Sequence, residues 1–109
     1  MDQSKNQEVQ RIAKDMLFLL SEYKTDALTK NVAEQLADAR LVEHTAQSMR
    51  SRLDQARDSG KGGWWNPADR SLEELRAMLK DCFDQGDMLD VVNIAAMIHI
   101  RETMEQVIA

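Results

Sequence analysis

From Leu28 to Ala56 apolar residues return at alternating steps of four and three: Leu28, Val32, Ala39, Val42, Ala46, Met49, Leu53 and Ala56, with a break only at Gln35, beside Leu36. A seven-residue repeat kept over about four heptads has one structural solution, a long α-helix with a continuous apolar seam. The pattern runs to Ser59-Gly60, which predicts a helix of about 30 residues, roughly 45 Å long. Ala39, Ala46 and Ala56 keep the seam narrow enough for a second helix to approach closely.

Upstream, Val9, Ile12, Ala13, Met16, Leu17, Leu19, Leu20 and Tyr23 mark one broad face of a helix over about residues 4–23. A reversal follows at Lys24-Thr25-Asp26, where Thr or Asp supplies the cap. The first helix is about two-thirds as long as the second and cannot cover its seam. The C-terminal helices or a second subunit must cover the rest.

Gly60-Lys61-Gly62-Gly63-Trp64-Trp65-Asn66-Pro67 is the one stretch rich in turn formers. It ends the long helix and forms the hinge between the halves. Either indole can close the base of a helical core or anchor a partner, so Trp64 and Trp65 are candidate protein-binding residues. Ser71-Leu72-Glu73-Glu74 has the form of a capping box and starts a third helix, with Leu72, Leu75, Met78, Leu79, Cys82 and Phe83 on its apolar face. Gly86 stops that helix, and Asp87 caps a fourth, with Asp90 in its first turn.

The fourth helix, from about Met88 to Ile108, is apolar nearly all round in its first three turns, which requires a central place in a bundle or a subunit interface. The expected fold is all-α: an N-terminal helical hairpin with one long, coiled-coil-like helix (1–59), a Gly/Trp loop (60–70) and a C-terminal helical hairpin (71–109), compact as one domain overall. Too few helices are present to surround the fourth, so a homodimer is expected, with Ala39, Val42, Ala46, Met49, Leu53, Ile94 and Met97 as its contact residues.

Composition limits function. A chain of 109 residues holds a modest core but not an elaborated catalytic cleft, which favours binding over catalysis. With 19 acidic against 14 basic residues the net charge is −5, and the basic excess that a phosphate backbone demands is missing. Arg50 to Lys61 is locally basic but carries Asp54 and Asp58, so a solvated helix face explains it about as well as a nucleic-acid patch, and a nucleic-acid-associated helical protein stays as an alternative. Cys82 is the single cysteine, which excludes an internal disulfide and fits a reducing cytosol. No apolar run reaches the ~18 residues of a membrane span, and the start Met1-Asp2-Gln3-Ser4-Lys5 has no secretory h-region. The expected location is the cytoplasm, without membrane contact.

Few groups suggest chemistry. Asp84, Asp87, Asp90 and Asn93 recur every three residues, so Asp87 and Asp90 are candidates for a metal, with helix capping as the alternative. Glu102 and Glu105 form a lone E-x-x-E. Asn93 lies in an apolar stretch and needs a hydrogen-bond partner, from the Trp64 loop or from its own copy across a two-fold axis. His44 is expected to face solvent and His99 to sit in an interface. No catalytic residue, metal or cofactor is assigned.

The run Gly60-Lys61-Gly62-Gly63-Trp64, Pro67, Ser71, Leu75, Leu79, Gly86-Asp87, Asp90-Val91, Asn93, Met97 and Arg101 resembles a C-terminal module of Ead-type early-region proteins of lambdoid phages and prophages. A similar tail occurs in phage proteins labelled dATP/dGTP pyrophosphohydrolase. This chain departs from the pattern at Trp65 and at Ile94, where Phe is more usual, and residues 1–59 are not covered. The resemblance implies a phage accessory protein working through host or phage protein partners in a bacterial cytoplasm. It also implies that Gly62, Gly63, Pro67, Asp87, Asp90, Asn93 and Arg101 form one structural unit with Trp64. The pyrophosphohydrolase label implies a second possibility, an all-α enzyme of the MazG type or its remnant. Such enzymes hold Mg²⁺ between an E-x-x-E and an E-x-x-D helix. Here Asp87-x-x-Asp90 and Glu102-x-x-Glu105 share one helix, so that cage is incomplete.

Overall fold

A computed structural model describes residues 3–108. These form four helices, α1 (Gln3–Lys24), α2 (Lys30–Asp58), α3 (Leu72–Gln85) and α4 (Met88–Ile108), with no strand among the described residues. The all-α class is as expected from the sequence. No described helix is long and apolar enough to cross a membrane.

Local chemistry sets the helix ends. After α1 the Thr25 hydroxyl donates back to the Ser21 and Glu22 carbonyls, and Asp26 turns the chain at φ 61. The cap of α2 is Thr29, whose Oγ1 accepts from Val32 N at 3.3 Å. This corrects the expectation that Thr25 or Asp26 caps it; both are consumed by the turn itself.

α3 opens with the full capping box: Ser71 Oγ accepts from Glu74 N at 3.0 Å and Ser71 N donates to Glu74 Oε1 at 3.2 Å. Gly86 ends it at φ 78, a left-handed position that a side chain would strain. Asp87 Oδ1 then accepts from Asp90 N at 3.1 Å and caps α4.

The chain falls into two compact groups, residues 1–48 and 49–109. In the second, α3 packs against α4 around Leu75, Ile94 and Ile98, with Trp64, Leu72, Met78, Leu79, Cys82 and Met97 against them. Apolar positions on the facing sides of two helices, brought together by a tight turn, produce this core.

Residues 1–48 pack differently. Their buried side chains among the described residues are His44 and Ser48, both polar. α1 meets α2 along Glu8, Arg11 and Asp15, with Ile12 and Leu19 half-buried, while Val9, Met16, Leu17, Leu20 and Tyr23 are exposed. The expectation that His44 faces solvent is thus corrected. It stands two residues beyond Val42, about 200° further round the helix, and so lies opposite the apolar seam.

Candidate protein-binding site

Three arrangements bear on function: the tryptophan loop, the acidic start of α4, and the apolar faces of residues 1–48.

The loop is built from glycine and an Asx turn. Gly63 has φ 83, and a Cβ there would meet Asp69 Cβ at 3.0 Å, so both backbone and space exclude a side chain. Asn66 Oδ1 accepts from Ala68 N at 3.0 Å across Pro67, and the Asn66 carbonyl accepts from Asp69 N and Arg70 N at 2.9 and 3.0 Å. Gly62 meets nothing in this way, and the structure gives no reason for glycine there.

Arg101 of α4 ties the loop at two points. Its Nη1 donates to the carbonyls of Trp64 and Arg70, each at 2.7 Å, and its Nη2 lies 3.4 Å from Glu105 Oε1. The residue is 1% exposed, which makes its guanidinium a buried clamp and not a surface cation. Clamped this way, Trp64 packs onto the Leu75–Ile94–Ile98 core while Trp65 is 62% exposed. Asn93 is buried nearby in sequence, but its Oδ1 has no hydrogen-bond partner among the described residues. Of the two partners expected for Asn93, no loop group donates to this Oδ1 among the described residues.

At the start of α4 the cation held by the two carboxylates is Arg52 of α2, whose Nη1 donates to Asp87 Oδ2 at 3.2 Å and Asp90 Oδ1 at 2.8 Å. The Asp90 backbone N–H first, and Arg52 second, hold the Asp87 carboxyl below the ordinary aspartate value. Asp84 is drawn away to Lys80 at 3.0 Å, Glu102 faces Arg76 at 3.8 Å, and Glu105 faces Arg101. The structure does not bring these acids together as one cluster.

Burial first, then the carboxylates of Asp90, Asp87 and Asp81, push the Cys82 thiol up. Less thiolate at neutral pH means less nucleophile. Alkylation of Cys82 by iodoacetamide at pH 7.5 should therefore run several-fold slower than that of free cysteine and reach the free rate in denaturant; equal rates in the folded protein would contradict this.

Of the self-association candidates, Ala39, Val42 and Ala46 are exposed, Val42 at 67%. Met49, Leu53 and Met97 are half-buried. Ile94 belongs to the core of residues 49–109, with 7% of its surface left for another chain. On α1, Val9, Met16, Leu17, Leu20 and Tyr23 form a second exposed apolar face, and Phe18 is exposed on the opposite side of the helix.

No family model, curated protein or solved structure matches the chain.

Sequence reasoning passed over Arg52, Glu8, Arg11, Asp15, Ser48 and the burial of His44. One signal was available: Glu8, Arg11 and Asp15, and Arg40, His44 and Ser48, are polar stripes at helical spacing, which can face each other as readily as solvent.

Proposed function

We propose that this chain acts by binding proteins, a second copy of itself included, and has no catalytic role of its own. The observation that carries this reading is the packing of residues 1–48, where every buried side chain described is polar and large apolar residues of both helices stay exposed. A helical pair with no fully buried apolar side chain among its described residues draws little stability from its own contacts, and contiguous apolar faces mark surfaces meant for another chain. Val42 with its alanine neighbours on α2, the broad face of α1 and the outward Trp65 are the contact surfaces.

The biological setting comes from the resemblance of Gly60 to Arg101 to the Ead-type module: a phage or prophage accessory protein in the cytoplasm of a bacterial host. The net charge of −5 and the pairing of Arg52 and Arg57 with aspartates weigh against a nucleic-acid partner.

Co-expression of tagged and untagged copies in bacteria tests the reading. Capture of the tagged chain should retain the untagged copy together with defined partner proteins, and Val42→Glu, with helicity intact, should lose the copy. Capture of nothing above background, or equal capture by Val42→Glu, contradicts it. A nucleotide pyrophosphohydrolase is tested separately. With Arg52 already donating to Asp87 and Asp90, dATP and dGTP should survive incubation with the protein and Mg²⁺. Hydrolysis abolished by Asp87→Asn or Asp90→Asn in a folded protein would replace the binding reading with an enzymatic one.

A further inference from the structure

In residues 1–48, α1 and α2 are joined by a chain of polar contacts. Ser48 Oγ donates to Glu8 Oε1 at 2.8 Å and accepts from Arg11 Nη2 at 3.2 Å. Arg11 Nη1 meets Nδ1 of His44, and Nε2 of the same ring lies 2.9 Å from Asp15 Oδ2. Arg40 approaches Asp15 at 3.9 Å and pairs with Glu43 at 3.1 Å. His44 is 8% exposed and Ser48 5%, so water is largely excluded from the centre of this chain.

The ring's proton follows from its neighbours. A guanidinium has five donors and no acceptor, so Nδ1 must accept from Arg11 and the proton must sit on Nε2, where it is donated to Asp15. This arrangement holds only while the imidazole is neutral.

We propose that this chain of contacts is a pH-sensitive latch, in which protonation of His44 expels Arg11 and releases α1 on the N-terminal side of Asp15. An imidazolium carries N–H on both nitrogens and would face Arg11 donor to donor and charge to charge in a partly dry site. Arg11 then leaves with its bond to Ser48. Glu8, one turn before it on the same helix, is the carboxylate placed to receive it, which draws Glu8 from Ser48 as well. On the opposite side of the ring, the contact to Asp15 becomes an ion pair and strengthens.

The response therefore has a direction along the helix. Contacts on the N-terminal side of Asp15 open, while the imidazolium stays held at Asp15. The charged groups facing the ring are Arg11 and Asp15 from α1, with Glu8 beyond Ser48, and Arg40 and Glu43 from α2. Of these side-chain types and the ring itself, imidazole is the one that ordinarily changes charge between pH 5 and 8.

Amide hydrogen exchange at pH 8.0 and 5.5, with labelling times scaled for the intrinsic pH dependence, tests the latch. In the wild type, protection over residues 6–13 should fall about ten-fold on acidification relative to residues 16–24. His44→Gln keeps a donor and an acceptor but does not titrate. Arg11→Gln presents an amide that can turn to suit either state of the ring. Both variants should show the same protection at the two pH values. Equal protection in the wild type, or the wild-type fall persisting in His44→Gln, overturns the latch. Should His44→Gln not fold, Arg11→Gln decides, and a persisting fall there overturns it equally.

Discussion

Arg101→Met is expected to destabilise residues 49–109 by about 3 kcal/mol, among the largest single-residue effects in this chain. The guanidinium donates to the Trp64 and Arg70 carbonyls at 2.7 Å each. A charge-assisted hydrogen bond contributes about 1.5–3 kcal/mol, and relief of the desolvation penalty on the buried cation offsets part of the sum. Methionine fills the volume but leaves both carbonyls unpaired. Arg101→Lys should recover only part of the loss, because an ammonium lacks the planar fork that fixes the guanidinium's direction. Urea unfolding of the three proteins measures this; a change below about 1 kcal/mol for Arg101→Met would show that the clamp is dispensable.

The two tryptophans should separate. Trp64→Ala removes an indole packed on the core, and the half-exposed position puts its effect at the low end of the usual range for buried aromatics, about 3 kcal/mol. Trp65→Ala removes a ring that is 62% exposed and should change stability by about 0.5 kcal/mol or less while weakening capture of partner proteins. Paired denaturant melts and capture experiments read both quantities. The assignment fails if Trp64→Ala is as stable as the parent, or if Trp65→Ala is the variant that unfolds.

What was legible in the sequence was what short-range chemistry decides. Ser71 with Glu74, Gly86 at its left-handed turn and Asp87 as a cap each act within a few residues, and they place α3 and α4 without reference to anything distant. The α1–α2 turn was harder to read because Thr25, Asp26 and Thr29 are all capable caps, and the choice among them depends on where the chain reverses. Arg52 with Asp87 and Asp90, and Arg101 with the Trp64 and Arg70 carbonyls, join residues more than thirty positions apart. Half of the second set is main chain, which no side-chain pattern records. His44 was misjudged for a related reason: periodicity says which residues share a face, but a polar face buries when its partner is polar too. On α2 the apolar seam and the face that meets α1 are different faces, so a sound periodicity still misnamed the packed side.

We propose that another copy of the chain covers the exposed apolar faces of residues 1–48. Sedimentation equilibrium of the purified protein over about 1–100 µM tests it most directly, since mass action governs self-association. A dimer or larger species at tens of micromolar, shifted toward monomer by Val42→Glu, is the predicted result. A wild-type monomer that persists throughout that range, with the helices intact, would contradict it.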